Sequence, residues 1–438
     1  MESTNINNND NSISSNEVLS KESVNIIIPN SINKSPSSSL PIIINDPKNW
    51  PKKKKLHVLL IIAFASILIG MGGSILYPAL ISIQNDLETT EFLTNFLIAI
   101  YLMFFGIGQL GWASYSDIFK TRRKMFLGSF LVYLIASIIS AVSNSIWLLC
   151  LMRVFQALGT SADQCVGAGI ISDIFIPTGY IVGQITGPVV GGFVTEYLGW
   201  HWIFWFTSIF IEKSSSTLPP TTKITTTPHK KIFNPFKPLI LLRLPHVTLI
   251  VLYLVTLTAV SYVQDIMLSR NFVEKYDHIN SFDIGLIYLS PTIGYLLGSL
   301  FSGRYSDFIL RAFIIPIAYI SYGWLLNYNA HISLPIISLF IGGFTTLMAQ
   351  NPTSTYLVDV NPKYSSSAIA TCSCLRYVYA GIMVALSVKI DETIGVGWTY
   401  TLVSSMNAFS IIFIIVVYFK GKKWRNEMKV GEKDVNYS

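Results

Sequence analysis

Apolar runs of about 20 residues recur along almost the whole chain, and such runs leave few folds open. One of them crosses ~30 Å of hydrocarbon as a helix. Inside lipid only helices and closed barrels satisfy their own backbone polar groups. Twelve segments can be drawn. They are Leu56–Ile83, Leu93–Trp112, Met125–Ser143, Ile146–Ile174, Gly179–Tyr197, Trp200–Ile211, Val247–Met267, Phe282–Ser302, Ala312–Leu326, Leu334–Val358, Ser367–Val388 and Trp398–Phe419. With 51% hydrophobic and 13% charged residues, the chain reads as an all-α membrane protein with twelve transmembrane helices.

Charge orients these segments. Gly111–Lys124 reads GWASYSDIFKTRRK, which predicts a tight loop carrying Asp117 and a cation cluster of Lys120, Arg122, Arg123 and Lys124. Lysine and arginine collect in cytoplasmic loops. Lys52–Lys55, Arg304 with Arg311, and Lys420–Arg425 fall on the same side as that cluster. The other side holds Arg270, Lys275 and Lys389 among the acids Asp86, Glu88, Glu91, Glu274 and Asp391. An even number of crossings with both termini cytoplasmic follows. The net charge of +7 is therefore juxtamembrane, which argues against nucleic acid as a partner.

The pattern is doubled. Gly303–Arg311 (GRYSDFILR) repeats Tyr115-Ser116-Asp117 as Tyr305-Ser306-Asp307, and Gly199-Trp200 is echoed by Gly397-Trp398. Both Gly-Trp pairs are expected at an outer membrane interface. The domain plan is a disordered cytoplasmic tail (1–45), an N-terminal six-helix half (46–211), a Ser/Thr/Pro-rich cytoplasmic linker (212–246), a C-terminal six-helix half (247–419) and a cytoplasmic tail (420–438). Doubled six-helix halves are a transporter plan with the substrate site between them near the midplane.

Within the fourth segment, Arg153 would cost at least ~2.5 kcal/mol facing lipid, so it must face protein or water. Gln156, Thr160 and Gln164 share its helical face, and Asp163 lies close to the segment's middle. The polar stripe either couples transport or forms a structural contact. In the fifth segment Gly183, Gly187 and Gly191 recur every four residues, with Gly192 beside them, giving a flat face for a neighbouring helix. Pro188 allows that helix to bend. Arg376 is buried in the eleventh segment, whereas Asp265 and Asp359 read as interfacial and His201 and His331 as outer-end residues. No HExxH, no Ser/His/Asp set and no phosphate-binding glycine loop is present, and the four cysteines lack metal-ligand spacing. An enzyme is not expected.

These residues resemble the major facilitator superfamily, and within it the fungal twelve-span drug:proton antiporters of the quinidine-resistance and dityrosine-exporter branch. The resemblance runs from about Asp46 to Trp424. It implies the major facilitator fold of two six-helix halves and a monomeric protein. It further implies no cofactor beyond the proton gradient, with protons, a small organic substrate and the lipid bilayer as partners at the plasma membrane. Asp117, Arg122, Arg123 and Asp307 would gate. Arg153, Gln156, Asp163 and Arg376 would handle protons or substrate, and Gly183, Gly187, Pro188, Gly191 and Gly192 would form the antiporter helix motif. Ala113 departs from the gating motif, and the first segment lacks a membrane acid. The sixth and ninth segments, at ~18 Å and ~22 Å of helix, fall short of a bilayer. The expected function is proton-coupled export, with a non-transporting sensor or an inactive, truncated transporter as the alternative.

Overall fold

The computed structural model describes residues 72–119, 122–172, 179–216, 237–276, 278–302, 308–360 and 365–435. All of them belong to the compact unit Trp50–Ser438. After a 3-10 turn at Tyr77–Ala79, the helices are α1 (Leu80–Asp86), α2 (Glu91–Phe119), α3 (Arg122–Ala141), α4 (Ile146–Ser172), α5 (Gly179–Leu198) and α6 (His201–Ser216). They continue as α7 (Pro245–Lys275), α8 (Ser281–Ile287), α9 (Leu289–Phe301), α10 (Phe308–Asn327), α11 (Ser333–Val360), α12 (Ser365–Ile394) and α13 (Val396–Val435). No strand occurs among the described residues. Among the described residues, six spans are long and apolar enough to cross a membrane: 91–112, 245–275, 281–301, 333–357, 368–394 and 396–421.

Local chemistry explains where the helices stop. Pro245 opens α7 at the position where a missing N–H costs nothing. Pro291 cannot donate to the carbonyl four residues back, at Ile287, and the eighth segment divides there into α8 and α9. Asn280 and Asp283 form a reciprocal capping box at the start of α8. The α5–α6 and α12–α13 turns each pivot on one left-handed glycine, Gly199 (φ +87) and Gly395 (φ +80).

Several expectations change. Helix α2 runs through Ser116 and Asp117 to Phe119, and α3 starts at Arg122. Only residues 120–121 separate them, so most of the expected loop is helix. Helix α10 begins at Phe308, because the apolar Phe308–Leu310 carries the helix across Arg311. Its 20 residues give a helix of ~30 Å, while its described apolar part, Ala312–Asn327, remains short. Helix α6 continues past Ile211 to Ser216, giving 16 residues or ~24 Å. Much of the first segment lies outside the described residues. Its described end is helical at 72–74 and breaks at Ile75–Leu76.

The core is largely apolar but encloses polar side chains, and the surface carries many large apolar ones. Arg153, Gln156, Gln264, Asn271 and Asn407 are buried, while Leu131, Trp147, Ile317, Phe409 and Phe419 are exposed. Such an apolar surface suits lipid rather than water. Helix α2 packs on α4, α4 on α3 and α3 on α6, while α9, α11, α10, α13, α7 and α12 pack one on the next; α2 crosses to α12, and α5 crosses to α8 and α9.

Candidate functional site

Arg153, Gln156 and Thr160 of the α4 stripe are buried, whereas the side chain of Gln164 lies outside the described residues. Arg153 is 1% exposed. Its Nη1 donates to Gln156 Oε1 at 2.9 Å and to the Gly72 carbonyl at 3.3 Å. The guanidinium carbon lies 4.4 Å from the centroid of the Tyr101 ring, a cation–π arrangement. Gln156 passes the contacts on, donating from Nε2 to Ser137 and Ser140 of α3 at 3.2 and 3.3 Å. One turn further, Thr160 and Tyr101 share a hydrogen bond of 3.0 Å. Arg153 thus joins the first segment, α2 and α3 around α4. Its Nε and Nη2 have no hydrogen-bond partner among the described residues, and no described carboxylate pairs with it. The Asp163 side chain lies outside the described residues. Its position on the same continuous helix, ten residues on, is ~15 Å along the axis from Arg153, beyond direct pairing.

The described part of the α5 motif lies at a seam between elements. A methyl group at Gly191 would clash with the Ile75 carbonyl oxygen, and one at Gly192 would lie 2.5 Å from the Ser281 carbonyl oxygen. Gly285 of α8 approaches the Pro188 carbonyl so closely that its own Cβ would sit at 2.9 Å. Glu196 Oε2 accepts the Ser281 amide at 3.1 Å. The side-chain environment at Gly183 and Gly187 lies outside the described residues. A second seam joins α2 to α12. Here Gly106 faces the Cys374 carbonyl (2.9 Å to an ideal Cβ) and Gly381 faces that of Ala99 (2.7 Å). Small residues at such crossings let backbones meet without displacing side chains.

Arg376 is half-buried on α12, and its Nε donates to Thr258 Oγ1 of α7 at 2.9 Å. Asp307 and the side chains of Asp117, Arg122 and Arg123 lie outside the described residues. Asp359 is exposed at the end of α11, as expected. Asp265 is not interfacial: α7 continues ten residues beyond it to Lys275. Trp200 also departs from expectation. It is buried and donates from Nε1 to Asp86 Oδ2 at 2.8 Å, whereas Trp398 is exposed and meets Trp324 edge-on.

One charged cluster went unrecognised in the sequence. Arg270 Nε lies 2.7 Å from Glu91 Oε1 and 2.7 Å from Glu274 Oε1, and its Nη1 is 3.5 Å from Asp391 Oδ2. One cation thereby ties α2, α7 and α12 at the end of α2 remote from the basic residues at 120–124. The available signal was the Arg270–Glu274 spacing of four on one helix; the partners on α2 and α12 come only from tertiary packing. The cluster borders a cavity of about 170 Å³ lined also by Gln84, Asn95 and Ser269. Replacing Arg270 with methionine leaves the carboxylates facing one another. The expected loss is ~2 kcal/mol, between the values for exposed and buried pairs. Thermal unfolding of the purified variant checks this, and an unchanged midpoint would show that the cluster ties nothing.

The glycine seams and the buried arginine sit in a chain whose residues 62–268 match the family model of the Major Facilitator Superfamily. That stretch belongs to the major facilitator superfamily. Its relatives include the MFS transporter cpaT of Aspergillus oryzae, 26% identical over 449 residues, covering 86% of this chain and 89% of that protein. The MFS antiporter QDR3 of Candida albicans is 20% identical, over 88% of this chain and 80% of the relative. The efflux pump radE of Floropilus chiversii is 21% identical, over 89% and 84%. Among solved structures, the human organic anion transporter MFSD10 (TETRAN) superposes with a TM-score of 0.58 at 13% identity, covering 83% of this chain and all of that one. This facilitator is an all-helical, multi-pass membrane protein of a transporter family, not an enzyme.

Proposed function

We propose that this facilitator is a proton-coupled antiporter that exports small organic molecules across the plasma membrane, with both termini cytoplasmic. The observation that carries the reading is Arg153. It is a buried guanidinium with two unused donor nitrogens and no described carboxylate beside it, inside a helix bundle. A charge so placed costs stability unless it is used. It suits a group that meets an anion or an ionised acid in one state of the cycle and is released in another. Gln156 orients it, and Asp163 and Arg376 supply further charge along the path.

The seams of α5 with α8 and of α2 with α12 provide smooth surfaces over which two helix groups can rock. Asp117, Arg122, Arg123 and Asp307 gate the cytoplasmic end in this reading. Support also comes from relatives whose names include an antiporter and an efflux pump. A deletion strain should become sensitive to some drugs or weak acids, and accumulation of the toxic compound should fall when the gene is restored. Unchanged sensitivity and unchanged efflux across such a panel would contradict export.

A further inference from the structure

Asp265 is the acid that the hydropathy boundaries misplace. It lies ten residues inside the end of α7, or ~15 Å of helix rise, about half the depth of a bilayer. Its carboxyl group faces tyrosines rather than cations. The Tyr295 hydroxyl of α9 lies nearby, without a hydrogen bond of ordinary geometry. Tyr288, at the α8–α9 junction, and Tyr319 and Tyr322, on α10, lie around it. No lysine, arginine or histidine is beside it among the described residues. Arg270 lies five residues on in α7, and Arg376 binds Thr258 seven residues back. The side chain retains partial exposure, so it is not sealed from small species.

Hydroxyl groups lead away from this acid in two directions. On one side, Tyr295 neighbours Ser261 and Tyr319, and Tyr319 Oη shares a hydrogen bond of 3.2 Å with Thr346 Oγ1 of α11. On the other, Tyr288 donates to the Asp265 backbone carbonyl, and its hydroxyl oxygen lies 3.0 Å from that of Ser269. Ser269 in turn donates to the Tyr77 carbonyl at 2.8 Å, beside a Tyr77–Tyr288 ring pair. The acid therefore lies where the α7–α11 packing meets the first segment. A structural role here would be served by a neutral amide, because an ionised carboxylate without a cation pays a large desolvation cost. A carboxyl that gains and loses a proton through neighbouring hydroxyls explains both its chemistry and its place.

We propose that Asp265 is a proton-carrying group of this transporter: its carboxylate binds a proton from one side of the membrane and releases that same proton to the other. The inference rests on the proton-coupled reading above and adds the residue that carries the proton. The full-length protein in liposomes is to be titrated by infrared difference spectroscopy, which reads the carbonyl stretch of a protonated carboxyl group directly. The wild type should show such a band rising as pH falls. Asp265→Asn should lack it, Asp265→Glu should restore it at a shifted frequency, and Tyr295→Phe should move its midpoint. A band unchanged in both Asp265→Asn and Tyr295→Phe overturns the proposal, and an amide variant that does not fold leaves the Glu and Phe variants to decide.

Ethidium export by the same liposomes separates the two claims. An imposed gradient of about one pH unit, a tenfold ratio of proton activity, should accelerate export by the wild type and by Asp265→Glu but not by Asp265→Asn. Acceleration retained in Asp265→Asn sinks the assignment while leaving proton-coupled export intact. A wild type that titrates at Asp265 yet ignores the gradient overturns the export reading instead.

Discussion

Gly191→Val is expected to abolish both stable folding and export. The ideal Cβ at this position would press into the Ile75 carbonyl oxygen, well inside van der Waals contact, and the Ile75 carbonyl carbon follows at 2.9 Å. Both obstacles are backbone, so no rotamer change relieves them. Overpacking of a close contact costs ~1–3 kcal/mol and sometimes more, and here α5 and the first segment must separate. Gly192 is similarly placed against Ser281 and Gly285, so the substitution also disturbs the α5–α8 seam. Gly128→Ala is the matched control, since nothing lies within 4 Å of a Cβ there. Thermal unfolding in detergent, read beside efflux in cells, checks the pair. A Gly191→Val protein with a native midpoint would show that the seam is looser than described.

Arg153→Met should separate function from stability. Removing the cation leaves the Gly72 carbonyl and Gln156 Oε1 short of a donor, at ~1–3 kcal/mol for an unpaired buried group. It also removes a buried charge with no described counter-ion, and replacing buried charge by an apolar side chain is commonly neutral or stabilising by ~1–4 kcal/mol. The two effects oppose each other, so stability should change by only ~1 kcal/mol. Export should fall by ~10-fold or more, as for a charge that acts in the cycle. A large drop in melting temperature with residual export intact would make Arg153 a packing residue.

Hydrophobic periodicity carried most of the architecture because lipid demands it. The inward face of Arg153, Gln156 and Thr160 was legible for the same reason: helical spacing alone puts them together. Hydropathy failed where polar residues are buried by packing. Helix α7 outlasts Met267 because Ser269 and Asn271 find partners in Tyr77, Tyr288 and Tyr400, and this is why Asp265 was misplaced at a span end. Trp200 looked like an interface anchor because its partner, Asp86, is 114 residues distant. The Arg270 cluster was invisible for the same cause, since two of its three acids reside on other helices.

Proton coupling is tested most directly by ethidium efflux from proteoliposomes containing the wild-type protein, measured with and without an imposed pH gradient of fixed size. Antiport predicts that efflux accelerates when the gradient drives protons opposite to ethidium, that reversal of the gradient slows it, and that protons move in step with the dye. Efflux at one rate under all three conditions, with no accompanying proton flux, would contradict a proton-driven exporter.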